Sequence, residues 1–205
     1  QNWQALYDEM RDMREACGDA HVKAILATGE LGTLRNVARA SLVCMMGGAD
    51  FIKTSTGKEA VNATLPVSLT MIRAIRDYGA RTGFKVGYKP AGGIAKAKDA
   101  LVYLSLMKDE LGHPWLQPDL FRFGASSLLT DIERQLEHHV TGAYSAAHRH
   151  ALFCGRLFDH ALHLVTGARI HGAIDMAREE NVGDAGIAID AGPHVLVAAF
   201  GQLLR

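Results

Sequence analysis

Lysine residues end two short apolar segments, and a polar turn containing glycine follows each of them. Lys53 comes directly after Phe51 and Ile52, and Lys89 is followed by the turn at 90–93. Loops at the carboxyl ends of parallel strands carry the ligand chemistry of α/β proteins. We therefore take Lys53 as the first candidate functional residue. The alternative is a strand-end lysine whose aliphatic stem covers apolar surface.

The repeated arrangement makes a chemical interpretation of the two lysines more specific. Two lysines at the same level of neighbouring strands lie close together, and a second cation lowers the pKa of an amine, as burial also does. A lysine that is partly neutral at physiological pH is a nucleophile that forms a Schiff base with a carbonyl compound. Lys53 and Lys89 therefore predict chemistry through a covalent imine.

Two turns of small residues follow predicted strands and precede predicted helices. They are Gly92-Gly93 and the stretch that contains Gly124, Ser126 and Ser127. Backbone N–H groups at the start of a helix bind anions, because the helix dipole and the unsatisfied donors both favour negative charge. The two turns together predict a phosphate site. The alternative is that the glycines only permit tight turns.

Alternating strand and helix patterns must position these residues. Helical spacing of apolar residues predicts helices at 3–17, 33–46, 66–82, 96–111 and 128–139. Short apolar runs predict strands at 22–27, 51–53, 85–89 and 120–123. A strand and a helix repeated four times are typical of a parallel α/β arrangement.

Four segments resemble the deoxyribose-phosphate aldolases, a family of class I aldolases built as TIM barrels: 28–31, 50–58, 89–93 and 123–127. The resemblance extends from about Trp3 to about Tyr144. It implies an α/β fold in which residues 1–147 are the C-terminal half of the barrel, units five to eight. A complete barrel typically has about 250 residues, so a chain of 205 residues would be a partial one. Residues 148–205 are an unassigned C-terminal tail.

The resemblance implies a lyase that reversibly cleaves 2-deoxy-D-ribose 5-phosphate to D-glyceraldehyde 3-phosphate and acetaldehyde, in deoxyribonucleotide catabolism. Lys53 would be the nucleophile, and Lys89 would lower the pKa of the Lys53 amine and help to move protons. Lys23 and Thr54 would support the site. No metal or organic cofactor is implied, because the lysine itself supplies the electron sink.

The phosphate end of the site carries one departure from the family pattern. The resemblance adds Gly57 and Lys58 to the phosphate-binding residues predicted from the two turns. The family usually has a basic residue two positions after the glycine pair, but Ala95 stands there in this chain. Lys96 or Lys58 would have to replace that charge.

A second departure concerns acid–base catalysis. In the family, an aspartate on an earlier strand relays protons, and the matched segments do not include that strand. We expect the nucleophile and the phosphate site to be present, with weak or no activity of the chain alone. Asp190 is a candidate replacement for the missing carboxylate.

Other functions stay open at this point. An unclosed barrel leaves two strand edges unpaired, which favours association. The chain could be a non-catalytic half-barrel that binds sugar phosphates, or a subunit that completes a barrel with a separate N-terminal chain or with a copy of itself. Another class I aldolase of the same barrel type, acting on a different phosphorylated sugar, is a further alternative.

Composition limits the compartment and the partners. The chain has 22 basic and 22 acidic residues, so no charge bias favours nucleic acid or a membrane surface. No segment is long and apolar enough to span a bilayer. Three scattered cysteines indicate neither a disulfide framework nor a zinc site, and favour the reducing cytoplasm.

The tail has a different character from the rest of the chain. Helical spacing predicts helices at 157–165 and 195–204, and a short strand is predicted at 186–190. Four tail histidines do not predict a metal site, because their spacing does not converge and no carboxylate or thiol completes a ligand set: His160, His163, His171 and His194. We interpret the tail as a lineage-specific or out-of-frame extension, or as a poorly ordered segment.

Overall fold

The computed structural model describes residues 2–146, 187–190 and 195–199. The helices in this part of the chain are α1 (Trp3–Cys17), α2 (Leu34–Met46), α3 (Leu65–Thr82), α4 (Ala97–Leu111) and α5 (Leu128–Thr141). The strands are β1 (His21–Ile25), β2 (Phe51–Lys53), β3 (Gly87–Lys89), β4 (Ile187–Asp190) and β5 (Val195–Ala199). Short 3-10 helices occupy Thr28–Leu31 and His113–Trp115.

The strands form one sheet in the order β3-β2-β1-β5-β4. β1, β2, β3 and β5 run parallel to one another, and β4 is antiparallel to β5. The predicted α/β class with a parallel sheet is therefore confirmed. Among the described helices, none is long and apolar enough to cross a membrane.

Two tail segments belong to this sheet. β4 confirms the strand predicted at 186–190, but the helix predicted at 195–204 is wrong, because Val195–Ala199 forms β5. A short continuous apolar run fits a buried strand as well as a helix, and periodicity alone does not separate the two. β5 pairs with the whole of β1, so the edge of β1 that we expected to be unpaired has a partner. The helix predicted at 157–165 lies outside the described residues.

Side-chain caps explain why the first three helices begin where they do. Asn2 accepts a hydrogen bond from Ala5 N, Thr33 from Asn36 N and Thr64 from Val67 N. Such caps satisfy backbone N–H groups that have no partner within the helix. The predicted bounds of these helices agree with the observed ones to within one residue.

The strand predicted at 120–123 is reduced to two isolated parallel bridges beside β3, Tyr88 with Phe121 and Ala91 with Gly124. Tyr88 N donates to Leu120 O, and Gly124 N donates to Pro90 O. Pro90 lies between the two bridges and has no N–H to donate, so the ladder of hydrogen bonds is interrupted there. The chain still runs alongside β3, as the prediction requires, but without a continuous strand.

The hydrophobic core lies between the helices and one face of the sheet. Val22, Ala24, Ile52 and Tyr88 supply this face, and all four are 0% exposed. The Tyr88 hydroxyl donates to Ser68 Oγ on α3 at 2.6 Å, so its polar end is satisfied. Burial of an aliphatic or aromatic side chain of this kind contributes roughly 1.5–3 kcal/mol.

An ion pair attaches α1 to the start of the sheet. Arg14 Nη1 lies 2.7 Å from Asp50 Oδ2. The same oxygen accepts a hydrogen bond from Val22 N at 2.8 Å. The carboxylate therefore joins α1, β1 and the residue before β2.

Candidate active site

The register of the sheet places Lys53 directly beside Lys89. The two residues are Cα partners in the parallel pair β2 and β3, and Ile25 of β1 is the partner of Lys53 on the other side. Partners in register direct their side chains to the same face, across strands about 4.8 Å apart. Lys23 precedes Ile25 by two residues, so it shares this face one level lower.

All three lysines lie beneath the protein surface. Lys23 and Lys89 are 1% exposed, and Lys53 is 5% exposed. Lysine is almost never buried to this extent unless it has a partner or a special role. Lys53 lines a cavity rather than the outer surface, which does not fit the alternative of a strand-end lysine with its ammonium in bulk water.

An aromatic ring fills the level below the lysine pair. Phe51 is the register partner of Gly87, and a Cβ atom on Gly87 would lie 2.4 Å from the Phe51 ring. Glycine is therefore required at 87 by the close approach of the ring. The Arg122 guanidinium lies 4.8 Å from the ring centroid, where a cation is attracted to the ring face.

A cavity of about 340 Å³ opens beside Lys53 and Lys89. Every residue predicted for the phosphate site lines it: Gly57, Lys58, Gly92, Gly93, Gly124, Ser126 and Ser127. Ala95 also lines the cavity, at the position where the family usually has a basic residue.

The two predicted supporting residues have other positions. Neither Lys23 nor Thr54 is among the residues that line the cavity. Thr54 is fully buried, and its hydroxyl accepts a hydrogen bond from Ala91 N at 2.9 Å and lies 3.2 Å from Ala91 O. Thr54 therefore joins the ends of β2 and β3, which is a positioning contact.

Glu59 occupies the turn at 56–58, and the sequence reasoning missed it. Its carboxylate accepts hydrogen bonds from Thr56 N and the Thr56 hydroxyl at 2.9 Å, and from Gly57 N and Lys58 N at 3.1 Å. Burial raises the pKa of Glu59, but these hydrogen bonds outweigh it, so the pKa is lowered overall. Thr56 and Glu59 have the spacing of a capping box, which is the sequence signal that could have revealed the contact.

The first turns of α4 and α5 differ in what they hold. Ala97 N donates to Asp131 Oδ2 at 2.8 Å, so a carboxylate already lies at the start of α4. Ser127 at the start of α5 makes no capping hydrogen bond through its side chain, and it lines the cavity. A helix start favours negative charge. Asp131 itself belongs to the first turn of α5, so a carboxylate lies near both helix starts, and α5 is distinguished by Ser127, which lines the cavity.

No group of three or more histidine, cysteine or carboxylate residues that could hold a metal ion occurs in the described ranges. Four tail histidines lie outside those ranges: His160, His163, His171 and His194.

A known protein family matches the part of the chain that contains this site. A family model described as "DeoC/LacD family aldolase" matches residues 1–132, well over half of the chain. The chain belongs to this family of aldolases. The matched residues contain both lysines and every residue predicted for the phosphate site.

Curated members of the family match this chain at high sequence identity. The chain is 67% identical over 146 residues to the deoxyribose-phosphate aldolase of Homo sapiens, which covers 71% of this chain and 46% of the human protein. It is 68% identical over 146 residues to that of Mus musculus, with the same shares covered. The chain therefore spans about half the length of the curated aldolases that it matches.

Solved structures support the aldolase fold. The apo-form structure of a Toxoplasma gondii protein assigned to the deoxyribose-phosphate aldolases matches with 27% identity and a TM-score of 0.59, over 64% of this chain and 51% of that one. The deoxyribose phosphate aldolase of Aeropyrum pernix, described as tetrameric, matches with 22% identity and a TM-score of 0.51, over 69% of this chain and 52% of that one. At this identity the second match concerns the fold alone.

Proposed function

We propose that this chain carries the Schiff-base and phosphate-binding part of a deoxyribose-phosphate aldolase site. The reaction is the reversible cleavage of 2-deoxy-D-ribose 5-phosphate to D-glyceraldehyde 3-phosphate and acetaldehyde. The observation that carries the proposal is the buried pair Lys53 and Lys89, in register on one face of the sheet and beside one cavity.

The Lys53 amine is the nucleophile in this mechanism. Its lone pair attacks the aldehyde carbon of the open-chain sugar, and loss of water gives an iminium ion. The hydroxyl on the third sugar carbon then loses its proton to water, and the bond between the second and third carbons breaks. Its electron pair forms the enamine double bond as the iminium π pair moves to nitrogen, and the third carbon leaves as the new aldehyde. Protonation and hydrolysis of the remaining enamine release acetaldehyde and restore the amine. The Lys89 cation lowers the pKa of Lys53, because it disfavours a second positive charge nearby.

The phosphate lies at the turns of small residues in this proposal. Gly92, Gly93 and the start of α5 at Gly124–Ser127 offer backbone donors and the positive end of a helix dipole. The Lys58 side chain supplies positive charge where Ala95 does not. Binding the phosphate orients the reacting end of the sugar against Lys53.

The proposal also assigns the chain to a particular part of a TIM barrel. Residues 1–147 correspond to units five to eight of a TIM barrel, and residues 148–205 are separate from that unit in origin. The acid–base carboxylate of the family lies outside the segments that this chain matches. Asp190 is not its replacement, because the register places Asp190 level with His21, at the opposite end of β1 from Ile25 and Lys53. General acid–base help is typically worth about 10²–10⁴ in rate, so we expect the chain alone to be weakly active. We place the reaction in the cytoplasm.

Borohydride trapping with acetaldehyde tests the proposal directly. Reduction of the imine adds an ethyl group to the lysine that formed it, and peptide mass spectrometry locates the modified residue. The expected result is one adduct, on Lys53. A folded sample with no adduct on Lys53 contradicts the proposal. Product analysis with other phosphorylated aldehydes as acceptors separates this aldolase from one that acts on a different sugar.

A second candidate function is that of an assembly subunit. The outer strand β4 has one neighbour, β5, so within the described part of the chain the sheet is open at this edge. Open edges favour pairing with another chain. Light scattering coupled to size-exclusion chromatography distinguishes a monomer from a homo-oligomer, and absence of any trapped adduct together with an oligomer favours this second function.

A further inference from the structure

The pairing of the first two strands shifts by one residue directly after Lys53. Leu26 N, just past β1, donates to Lys53 O at 3.0 Å. In regular parallel pairing, Thr28 N would then donate to the carbonyl of residue 55. It donates instead to Thr54 O at 2.9 Å. The segment after β1 therefore contains one extra residue opposite the nucleophile, which is a β-bulge.

Ala27 is the extra residue, and its backbone is strained. Its φ of 46° and ψ of 56° are left-handed, and within the described ranges it is the one non-glycine residue with a positive φ. A Cβ atom makes this conformation unfavourable, so the surrounding structure must hold it. Bulges and strained residues of this kind are frequent beside functional sites.

The bulge changes the hydrogen bonds of Thr54. Thr54 N donates to Lys89 O at 3.3 Å, and in a regular strand the carbonyl of the same residue would accept from Ala91 N on that side. This carbonyl is turned to Thr28 N instead. Ala91 N donates to the Thr54 hydroxyl at 2.9 Å, so the side chain replaces the backbone acceptor.

We propose that Ala27 and Thr54 are positioning residues that hold the main chain of Lys53 at a fixed separation from that of Lys89. This inference rests on the proposed function, in which Lys53 is the nucleophile. The carbonyls of both lysines are bound by neighbouring segments, Lys53 O by Leu26 N and Lys89 O by Thr54 N. Neither positioning residue lines the cavity, so both act through the lysines rather than on the substrate.

Burial makes the Thr54 hydroxyl hard to replace. Thr54 is 0% exposed and Ala91 is 1% exposed. Without the hydroxyl, Ala91 N would be a buried donor that has lost its acceptor, which is costly enough to make the chain rearrange. The ends of β2 and β3 would then separate.

Separation of the strand ends would change the reactivity of Lys53. Lys23 and Lys89 are the charged residues of β1 and β3 on the same face. The repulsion between cations weakens with distance, so a larger separation raises the pKa of the Lys53 amine. A misplacement of about 1 Å can also cost about 10²-fold in rate.

The variants Thr54→Val and Thr54→Ser test the proposal in the full 205-residue chain. The readout is the rate of borohydride-trapped adduct on Lys53 with acetaldehyde, measured across pH. Thr54→Val is expected to slow trapping by about tenfold or more and to move the half-maximal rate to higher pH. Thr54→Ser keeps the hydroxyl and is expected to restore both. A wild-type rate and pH profile in Thr54→Val, or equal losses in both variants, would overturn the proposal.

Thr70→Val is the control for this change. It removes the hydrogen bond from the Thr70 hydroxyl to Pro66 O on α3, which is 2.8 Å long. Some loss of stability is expected, with trapping on Lys53 as in wild type. Slower trapping in this control to the same extent as in Thr54→Val would also overturn the proposal, because any lost hydroxyl would then have the same effect.

Ala27→Val tests the bulge itself. A β-branched residue does not fit a positive φ, so the bulge should be lost and trapping on Lys53 should slow. Ala74→Val adds the same bulk at a buried alanine of α3 that is 6% exposed, and it is expected to keep the wild-type rate per folded molecule. Equal rates in the two variants would remove Ala27 from the proposal.

Two further measurements do not depend on adduct formation. In the wild-type chain, the amides of Thr28 and Ala91 should exchange hydrogen as slowly as that of Leu26, and fast exchange at either one would contradict the arrangement. If wild type forms no adduct, the proposed function fails. An NMR titration of the Lys53 Cε signal then decides the inference: a midpoint that differs between wild type and Thr54→Val supports it, and equal midpoints overturn it.

Discussion

The two faces of the parallel strands differ completely in chemistry, although successive residues of the same strands supply them. The face toward the helices consists of Val22, Ala24, Ile52 and Tyr88 and is packed into the core. The opposite face carries Lys23, Lys53 and Lys89, all at most 5% exposed, above and beside the Phe51 ring. One face stabilises the fold, and the other holds amines that the fold must desolvate.

This difference shows how a three-residue strand serves both purposes. Side chains alternate across a strand, so Ile52 packs against the helices while its neighbours Phe51 and Lys53 face the cavity side. A charged amine costs free energy when it is buried, and the apolar face offsets that cost. We therefore expect substitutions on the two faces to affect different measurements, and the following variants test that expectation from the largest effect to the smallest.

Lys53→Met is expected to abolish the borohydride adduct with acetaldehyde completely, because no other residue occupies the nucleophile's position. Stability to urea should be unchanged or higher, since a buried amine is replaced by an apolar side chain of similar length. The control is Lys108→Met, an exposed position on α4, which should keep wild-type trapping. A wild-type amount of adduct in Lys53→Met would show that another lysine is the nucleophile.

Ile52→Ala changes the apolar face only. Ile52 is 0% exposed, and removal of its buried methyl groups should lower the free energy of unfolding by about 2–5 kcal/mol. Urea denaturation measures the loss, and the folded fraction should still form the Lys53 adduct. Val61→Ala, at a residue that is 50% exposed, is the control with a small expected change. A loss in Ile52→Ala no larger than in the control would mean that this layer is not packed.

Lys89→Met is expected to slow trapping at neutral pH, because a neighbouring cation favours the neutral, nucleophilic form of the Lys53 amine. The pH at which trapping reaches half its maximal rate should then rise. Rates measured across pH for Lys89→Met and for Lys89→Arg, which keeps a cation, separate the electrostatic effect from a loss of packing. Identical pH profiles for wild type and Lys89→Met would contradict the role assigned to Lys89.

Alkaline pH should weaken the apolar face through Tyr88. Burial raises the pKa of Tyr88, so the folded chain keeps a proton that the unfolded chain loses above about pH 10. Stability should therefore fall as the pH rises above about 10. Tyr88→Phe should lose about 1 kcal/mol at neutral pH, with its hydrogen bond to Ser68, and show a shallower fall at high pH. Tyr144→Phe, at an exposed residue, is the control.

Sequence patterns predicted the helices and strands whose formation depends on their own residues. They failed where the structure of a segment depends on a neighbouring segment. The bounds of α1 follow from its apolar spacing and from the Asn2 cap. The strand at 120–123 was predicted from its own residues, but the interruption comes from Pro90 on the neighbouring segment. The helix predicted at 195–204 failed because an apolar run does not reveal whether a sheet will be its neighbour.

The candidate site also contains residues that could be predicted from the sequence and residues that could not. That Lys53 and Lys89 end two adjacent strands at one level could be predicted from the repeated segments, and the register agrees. The capping-box spacing of Thr56 and Glu59 indicates a contact between them, but that motif normally precedes a helix, so it does not by itself predict a closed turn. Here it closes a turn whose shape depends on the positive φ of Gly57.

The Phe51 ring lies where a side chain on residue 87 would otherwise be. A single methyl group added there would force the ring to move, although residue 87 itself bears no functional group. The packing one level below the lysine pair thus depends on the absence of a side chain at residue 87, and we expect few substitutions to be tolerated there.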